Sequence, residues 1–357
     1  MTFLSIAFFL AAASAPPEDN IWAGLQPQIS LDKSGNIRVA YGRGDSIFCL
    51  TSRRTGEHFS EPVFVGQIKG MHLGMTRGPQ IASSANYSII TAIDKPGNIH
   101  FFRLTHANSK WEYKGKINDI PNSAPEGLMS VAADTEDNFY AVWLDIRRDR
   151  KNNICFSSLS GKVTKWAKNQ LIYISPDGHV CECCKPSIDV EGAKVAVMYR
   201  NWLQGSRDLY LTTSDNRGRS FNEAQKLGSG TWKLNGCPMD GGSVSIDKTG
   251  MIHTTWQREG FVYYCKPKEG EIKVSKGRAC SMASNKTSQE KPVLALQDGK
   301  TVKIVGLNNQ SEITVGKGNF LKSIVLNKEE VLCVWEQDKN VRYKKVSMPS
   351  STTASIN

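Results

Sequence analysis

Four cysteines stand in two short segments, Cys181-Glu182-Cys183-Cys184 and Cys237-Pro238-Met239-Asp240-Gly241-Gly242. Thiolates and a thioether are soft ligands. Cys181, Cys183, Cys184 and Cys237, with Met239 beside them, therefore form a candidate site for copper or zinc. His179, two residues ahead of Cys181, is a further candidate ligand. In an oxidising compartment the same sulfurs would pair as disulfides, and the adjacent Cys183 and Cys184 would then take different partners. Both readings stand at this level. A second chemistry lies in the acids and arginines. Asp145, Glu126, Asp208 and Asp240 are candidate catalytic groups, because glycoside hydrolysis usually takes two carboxyls. Arg77, Arg147, Arg200, Arg207 and Arg258, with Asn201, are candidate ligands for an anionic substrate, since the guanidinium fork matches a carboxylate. Trp202 is a candidate platform for a sugar ring. The near neighbours Asp145/Arg147 and Arg207/Asp208 serve equally well as ion-paired loop supports.

These residues are scattered over half the chain, so a repeating scaffold must bring them together. Apolar alternation recurs in pairs of strands joined by Asp/Gly turns, as in Pro27–Asp32 leading to Ile37–Tyr41 and Ser243–Asp247 leading to Ile252–Trp256. Second strands centre near Ala40, Thr91, Val142, Val197, Thr255, Ile304 and Cys333, the first five about 50–58 residues apart. No sustained helical stripe interrupts them. The fold expected is all-β: a single six-bladed β-propeller, with seven blades the alternative. The tryptophans Trp143 and Trp256 end second strands, where packing between blades is their expected role.

A second repeat lies between outer strands. Ser214-Asp215-Asn216-Arg217-Gly218-Arg219-Ser220-Phe221 fits Ser-x-Asp-x-Gly-x-x-Phe with Asn216 at the Asp position; Ser52–Phe59 fits it with Arg54 in place of Asp, and Thr164-Lys165-Trp166 is a decayed third copy. On these segments, and on the two cysteine segments, the chain resembles the sialidase-like (BNR, or Asp-box, repeat) propellers over roughly residues 20–346. The resemblance implies that the Ser-x-Asp turns lie on the face away from a functional mouth. Loops before inner strands and after second strands then share that mouth, which gathers Arg77, Glu126, the Cys181 and Cys237 segments, Asp145, Arg147, Arg200–Trp202, Arg207, Asp208 and Arg258. It further implies an exo-glycosidase for acidic sugars of the sialic-acid type, with arginines clamping the sugar carboxylate and a Tyr activated by a Glu as nucleophile. Tyr199 and Tyr263 are available for that role, and the Phe/Tyr-Arg-Ile-Pro motif of the family is absent. The rivals to hydrolysis are a metal or redox protein using the cysteines and a glycan- or protein-binding module.

Residues 1–15 are apolar and end in Ala13-Ser14-Ala15, the pattern of a secretory signal peptide. The expected division is signal peptide 1–15, propeller 16–348 and a disordered tail 349–357, in a secreted or periplasmic protein. No later stretch is long and apolar enough for a membrane span. The chain carries net charge +11, which suits an acidic glycan or another anionic ligand. The basic residues are spread evenly with no run interleaved by aromatics, which argues against nucleic acid. Cys49, Cys155, Cys265, Cys280 and Cys333 are dispersed, and buried inert thiols are expected for those on strands.

Overall fold

An alternating run such as Ile37-Arg38-Val39-Ala40-Tyr41 buries both faces when sheets stack on either side of it, and that is what the repeats do. The computed structural model describes residues 21–53, 55–283, 292–307 and 310–348. The expected signal peptide and tail lie outside these residues. The chain forms seven four-stranded antiparallel sheets, the count left open beside six. Blades one to six run from the axis outward in chain order. Their innermost strands are Leu25–Leu31, Gln80–Ser83, Met129–Ala133, Ser187–Glu191, Ser243–Ile246 and Arg278–Ala283. Blade seven starts at Asn319–Val325 and takes its outermost strand, Trp22–Ala23, from the other end of the chain. Trp22 pairs with Val341 and stacks on Tyr343, so the ring closes by hydrogen bonds and aromatic contact.

The core is divided among the blade interfaces. Among the described residues there are seven apolar clusters, and each spans one pair of neighbouring blades. Trp143 is fully buried between blades two and three, and Trp256 between four and five, as expected of them. All five dispersed cysteines lie on strands and are buried, and desolvation drives the Cys49 thiol up to about 12. These thiols are inert packing groups. In three blades an aspartate closing the first hairpin also grips a side chain six residues on. The pairs are Asp32 with Arg38 at 2.8 Å, Asp134 with the Tyr140 hydroxyl at 3.0 Å and Asp247 with His253 at 3.2 Å.

One strand assignment needs correcting. Six of the seven expected second-strand centres lie on second strands, but Ile304 is on the third strand of blade six, Thr301–Gly306. The second strand there is Val293–Asp298. Both hairpins of a blade show the same alternation around an Asp-Gly turn, so pattern alone does not tell which hairpin is being read.

Candidate functional site

Each of the Ser-x-Asp-type segments joins the third and outer strands of its blade: Ser214–Phe221 in blade four, Ser52–Phe59 in blade one and Thr164–Trp166 in blade three. In the best formed of them the Ser214 hydroxyl accepts the Gly218 amide at 2.9 Å, and Phe221 packs edge-on against Phe156 of the preceding blade. On the opposite face, the connections into the inner strands differ greatly in length. Blades two to five are entered by loops 68–79, 117–128, 174–186 and 227–242, whereas blades six, seven and one are each entered through a single glycine, Gly277, Gly318 and Gly24. At Gly318 the φ of 143° and the Glu336 carbonyl, 2.2 Å from where a Cβ would sit, leave room for no side chain. The long loops therefore stand around about half of the mouth. Below them an axial cavity of about 690 Å³ runs between the inner strands, with Lys185, Lys322 and Met239 on its wall.

The long loops bring the expected residues to one region, but burial separates them into two groups. The first group is spent on structure. Asp145 is wholly buried and accepts hydrogen bonds from Trp143 Nε1 (2.8 Å), Ser123 Oγ (2.8 Å) and the Arg147 backbone and guanidinium (2.8 and 2.9 Å). Arg147 continues to Asp119 at 3.0 Å, and the hydrogen bond to Asp145 raises its pKa against desolvation. Arg200 is 1% exposed and donates to three backbone carbonyls, those of Asp240, Arg207 and Gln257. Asp208 caps the Trp232 amide and pairs with Lys226 at 3.1 Å. Asp240 accepts the amides of Ala279 and Gly242. Arg258 is paired with Glu271 and lies over Tyr263, and buried Asn201 donates to the Tyr173 hydroxyl. Tyr199 is wholly buried, with its pKa raised by desolvation, so its hydroxyl is out of reach of a substrate.

The second group faces the mouth. Arg77 and Glu126 meet across blades two and three, with Nη2 3.5 Å from Oε2 and the Arg77 Nε also donating to the Glu126 carbonyl. The Glu126 carboxyl is 35% exposed, and burial holds its pKa above the ordinary glutamate value, with the Arg77 charge opposing and Glu182 adding to the rise. His72 lies against Gly127. Desolvation first and Arg77 second push the His72 pKa down, so the ring is neutral at pH 7; its Nε2 is buried and makes no hydrogen bond. On the blade-four side, Trp202 has two neighbours: the Arg207 guanidinium lies 4.5 Å from its ring centroid, and the His179 ring is near parallel with its centroid 6.0 Å away. Sequence reasoning missed the part played by Glu182, Asn152 and His72 around Glu126. His72 and Glu182 come from the loops entering blades two and four and Asn152 from the strand Lys151–Ser160, and only the fold brings them to one region.

The sulfurs sit beside this group. Cys183 and Cys237 are joined by a disulfide, while Cys181 and Cys184 are free and buried, with their sulfurs 3.1 Å apart. Cys181 lies 3.7 Å and Cys184 3.9 Å from Cys183 Sγ. Arg207 Nη1 donates to Cys181 Sγ at 3.0 Å. The hydrogen bond shared with Cys184, and then the charges of Arg207 and Arg200, bring the Cys181 pKa down to about 6 against the effect of burial, which drives Cys184 well above the thiol range. The sulfurs of Cys181, Cys183 and Cys184 all lie within 4.8 Å of one another, close enough to share a metal ion. With Cys183 bonded to Cys237, however, only two thiolates remain to offer it.

No family model matches the chain, and no curated protein does. Solved structures do match. A PL25 ulvan lyase, solved bound to a glucuronic acid–rhamnose 3-sulfate unit, aligns with TM-score 0.56 at 10% identity over 92% of this chain and 94% of its own. A microbial sialidase, Hz136, aligns with TM-score 0.50 at 10% identity over 91% of this chain and 66% of its own. The propeller domain of the Trilobed protease from Pyrococcus furiosus aligns with TM-score 0.51 at 8% identity over 93% and 100%. The chain has the β-propeller fold that sialidases and polysaccharide lyases share. Among the described residues no helix is long and apolar enough to cross a membrane.

Proposed function

We propose that this protein acts on an acidic saccharide at the half-walled mouth over blades two to four, as an exported exo-glycosidase for sugars of the sialic-acid type. The observation that carries the reading is the state of Glu126. Of the four candidate carboxyls, Asp145, Asp208 and Asp240 are buried and committed to hydrogen bonds, whereas Glu126 is part-exposed and protonated to higher pH than an ordinary glutamate. A carboxyl of that kind donates a proton to a leaving glycosidic oxygen. Arg77 beside it supplies the fork for a sugar carboxylate, and the Arg207–Trp202 pair supplies a ring platform with positive charge behind it. Glu182 is the neighbouring carboxylate available to take a proton from attacking water. The net charge of +11 and the disulfide agree with an anionic ligand and an oxidising compartment.

The test is a panel of fluorogenic sialosides and glucuronides together with uronic-acid polysaccharides, assayed for released fluorophore and for new reducing ends. Turnover that is lost in Glu126→Gln, with the fold retained, supports the proposal. Binding without turnover would leave a glycan-binding module in its place, and neither binding nor turnover on any acidic sugar would reject it.

A further inference from the structure

We infer that the four sulfurs form a two-electron thiol–disulfide centre, in which the buried Cys181/Cys184 dithiol reduces the Cys183–Cys237 disulfide. Three observations carry this. The free pair and the bonded pair are in contact, with Cys181 Sγ 3.7 Å from Cys183 Sγ and 3.1 Å from Cys184 Sγ. The Arg207 guanidinium donates to Cys181 Sγ, and Arg200, buried, hydrogen-bonded to three carbonyls and lying over Trp232, adds a second positive charge that makes no ion pair among the described residues. Cations so placed favour the thiolate, the nucleophilic form. The two pairs also differ in access: Cys181 and Cys184 are sealed in the wall, while Cys237 is exposed on its loop.

The exchange balances within the chain. The Cys181 thiolate attacks Cys183 Sγ; the Cys181–Cys183 bond forms, the Cys183–Cys237 bond breaks, and Cys237 leaves as a thiolate that takes a proton from water. Cys184 Sγ attacks Cys181 Sγ, the Cys181–Cys184 bond forms, the Cys181–Cys183 bond breaks, and the Cys184 proton passes to the leaving Cys183 sulfur, 3.9 Å away. One disulfide is consumed and one is made, so no external oxidant or reductant enters. Two reducing equivalents have moved from a buried pair to the rim, where a disulfide on another molecule can reach them. The closing step joins two sulfurs that already stand 3.1 Å apart, at Cys-x-x-Cys spacing.

The whole protein, purified without reductant, is equilibrated over a series of glutathione redox buffers and quenched in acid. Free thiols are then alkylated and disulfides mapped by peptide mass spectrometry, with metal measured by elemental analysis on the same sample. The expected result is that molecules holding one disulfide divide between the Cys183–Cys237 and Cys181–Cys184 forms. Cys181→Ser should confine it to Cys183–Cys237, and Cys184→Ser should trap some Cys181–Cys183. If the wild-type protein, which needs no variant to fold, keeps its single disulfide at Cys183–Cys237 in every buffer, the inference fails. It fails equally if one equivalent of copper or zinc is bound and the cysteines resist alkylation until it is removed. Either failure leaves the saccharide reading standing, since that depends on Glu126 and Arg77.

Discussion

Arg207 spans two chemistries with one planar group: its Nη1 donates to Cys181 Sγ at 3.0 Å while the same guanidinium lies over the Trp202 ring at 4.5 Å. The sulfur centre and the mouth are thus coupled through a single side chain. Replacing Arg207 with Ala should act on both. With Cys183–Cys237 bonded, the thiolate absorbance of the wild-type protein should titrate with a midpoint near 6 for Cys181, and the variant should shift that midpoint upward, toward the ordinary thiol value of 9. An unshifted midpoint would mean that Cys184 and Arg200 set the acidity without Arg207.

Glu126 gives the pH dependence of the saccharide reaction. Its folded pKa is raised, so the protonated acid persists above the usual carboxylate range. Turnover should fall as pH rises through that pKa, which is the descending limb of a bell-shaped kcat/KM profile whose acid side belongs to the carboxylate that activates water. Glu126→Gln should remove the limb along with the activity.

Arg77→Ala tests the carboxylate clamp. A charged hydrogen bond is worth about 1.5–3 kcal/mol, so KM for an acidic sugar should rise roughly 10- to 100-fold. A neutral analogue of the same sugar should be much less affected, and an equal loss on both would assign Arg77 to loop support.

Asp145→Ala separates structure from catalysis. It removes the acceptor of the buried Trp143 indole and one of the two carboxylates that hold Arg147, which keeps Asp119, and leaving buried donors unsatisfied costs about 1–3 kcal/mol. The thermal midpoint should fall by several degrees, while the folded fraction keeps its specific activity. Loss of turnover at unchanged stability would return Asp145 to the list of catalytic candidates.

Asp247 offers an acid-stability test. Hydrogen bonds from Thr249 and His253 overcome its desolvation and hold its pKa near 2 in the folded chain. A depressed carboxyl contributes fully above its unfolded value of about 3.8 and loses that contribution as pH falls toward 2. Denaturant midpoints of wild type and Asp247→Asn should differ at pH 6 and converge near pH 2.

Much of the scaffold was legible in the sequence, and for a physical reason. Second strands such as Val142 and Val197 are buried on both faces, so their apolar runs are long and regularly spaced. The two-residue closing strand Trp22–Ala23 is too short to leave a pattern, and in blade six the third strand around Ile304 imitates a second one. The site was legible only in part. Residue type pointed to Asp145, Arg200 and Glu126 alike, but whether an acid or a guanidinium is sealed or open depends on partners from other loops. Two of Asp145's partners, Trp143 and Arg147, lie two residues from it in sequence, whereas Glu126 meets Arg77, Asn152 and Glu182 only once three blades are assembled. The disulfide between Cys183 and Cys237 likewise joins residues 54 apart in sequence, on the loops entering adjacent blades.

The three single-glycine connections have a further consequence for ligand shape. With loops raised over blades two to five and almost nothing over six, seven and one, the mouth is a horseshoe with a low side at Gly277, Gly318 and Gly24. A complete collar of loops would accept only the tip of a chain. A horseshoe also lets a long polymer enter over the low side and lie across the rim toward Arg77 and Trp202, so product length, from single residues to internal fragments, reports directly on which of these approaches the protein uses.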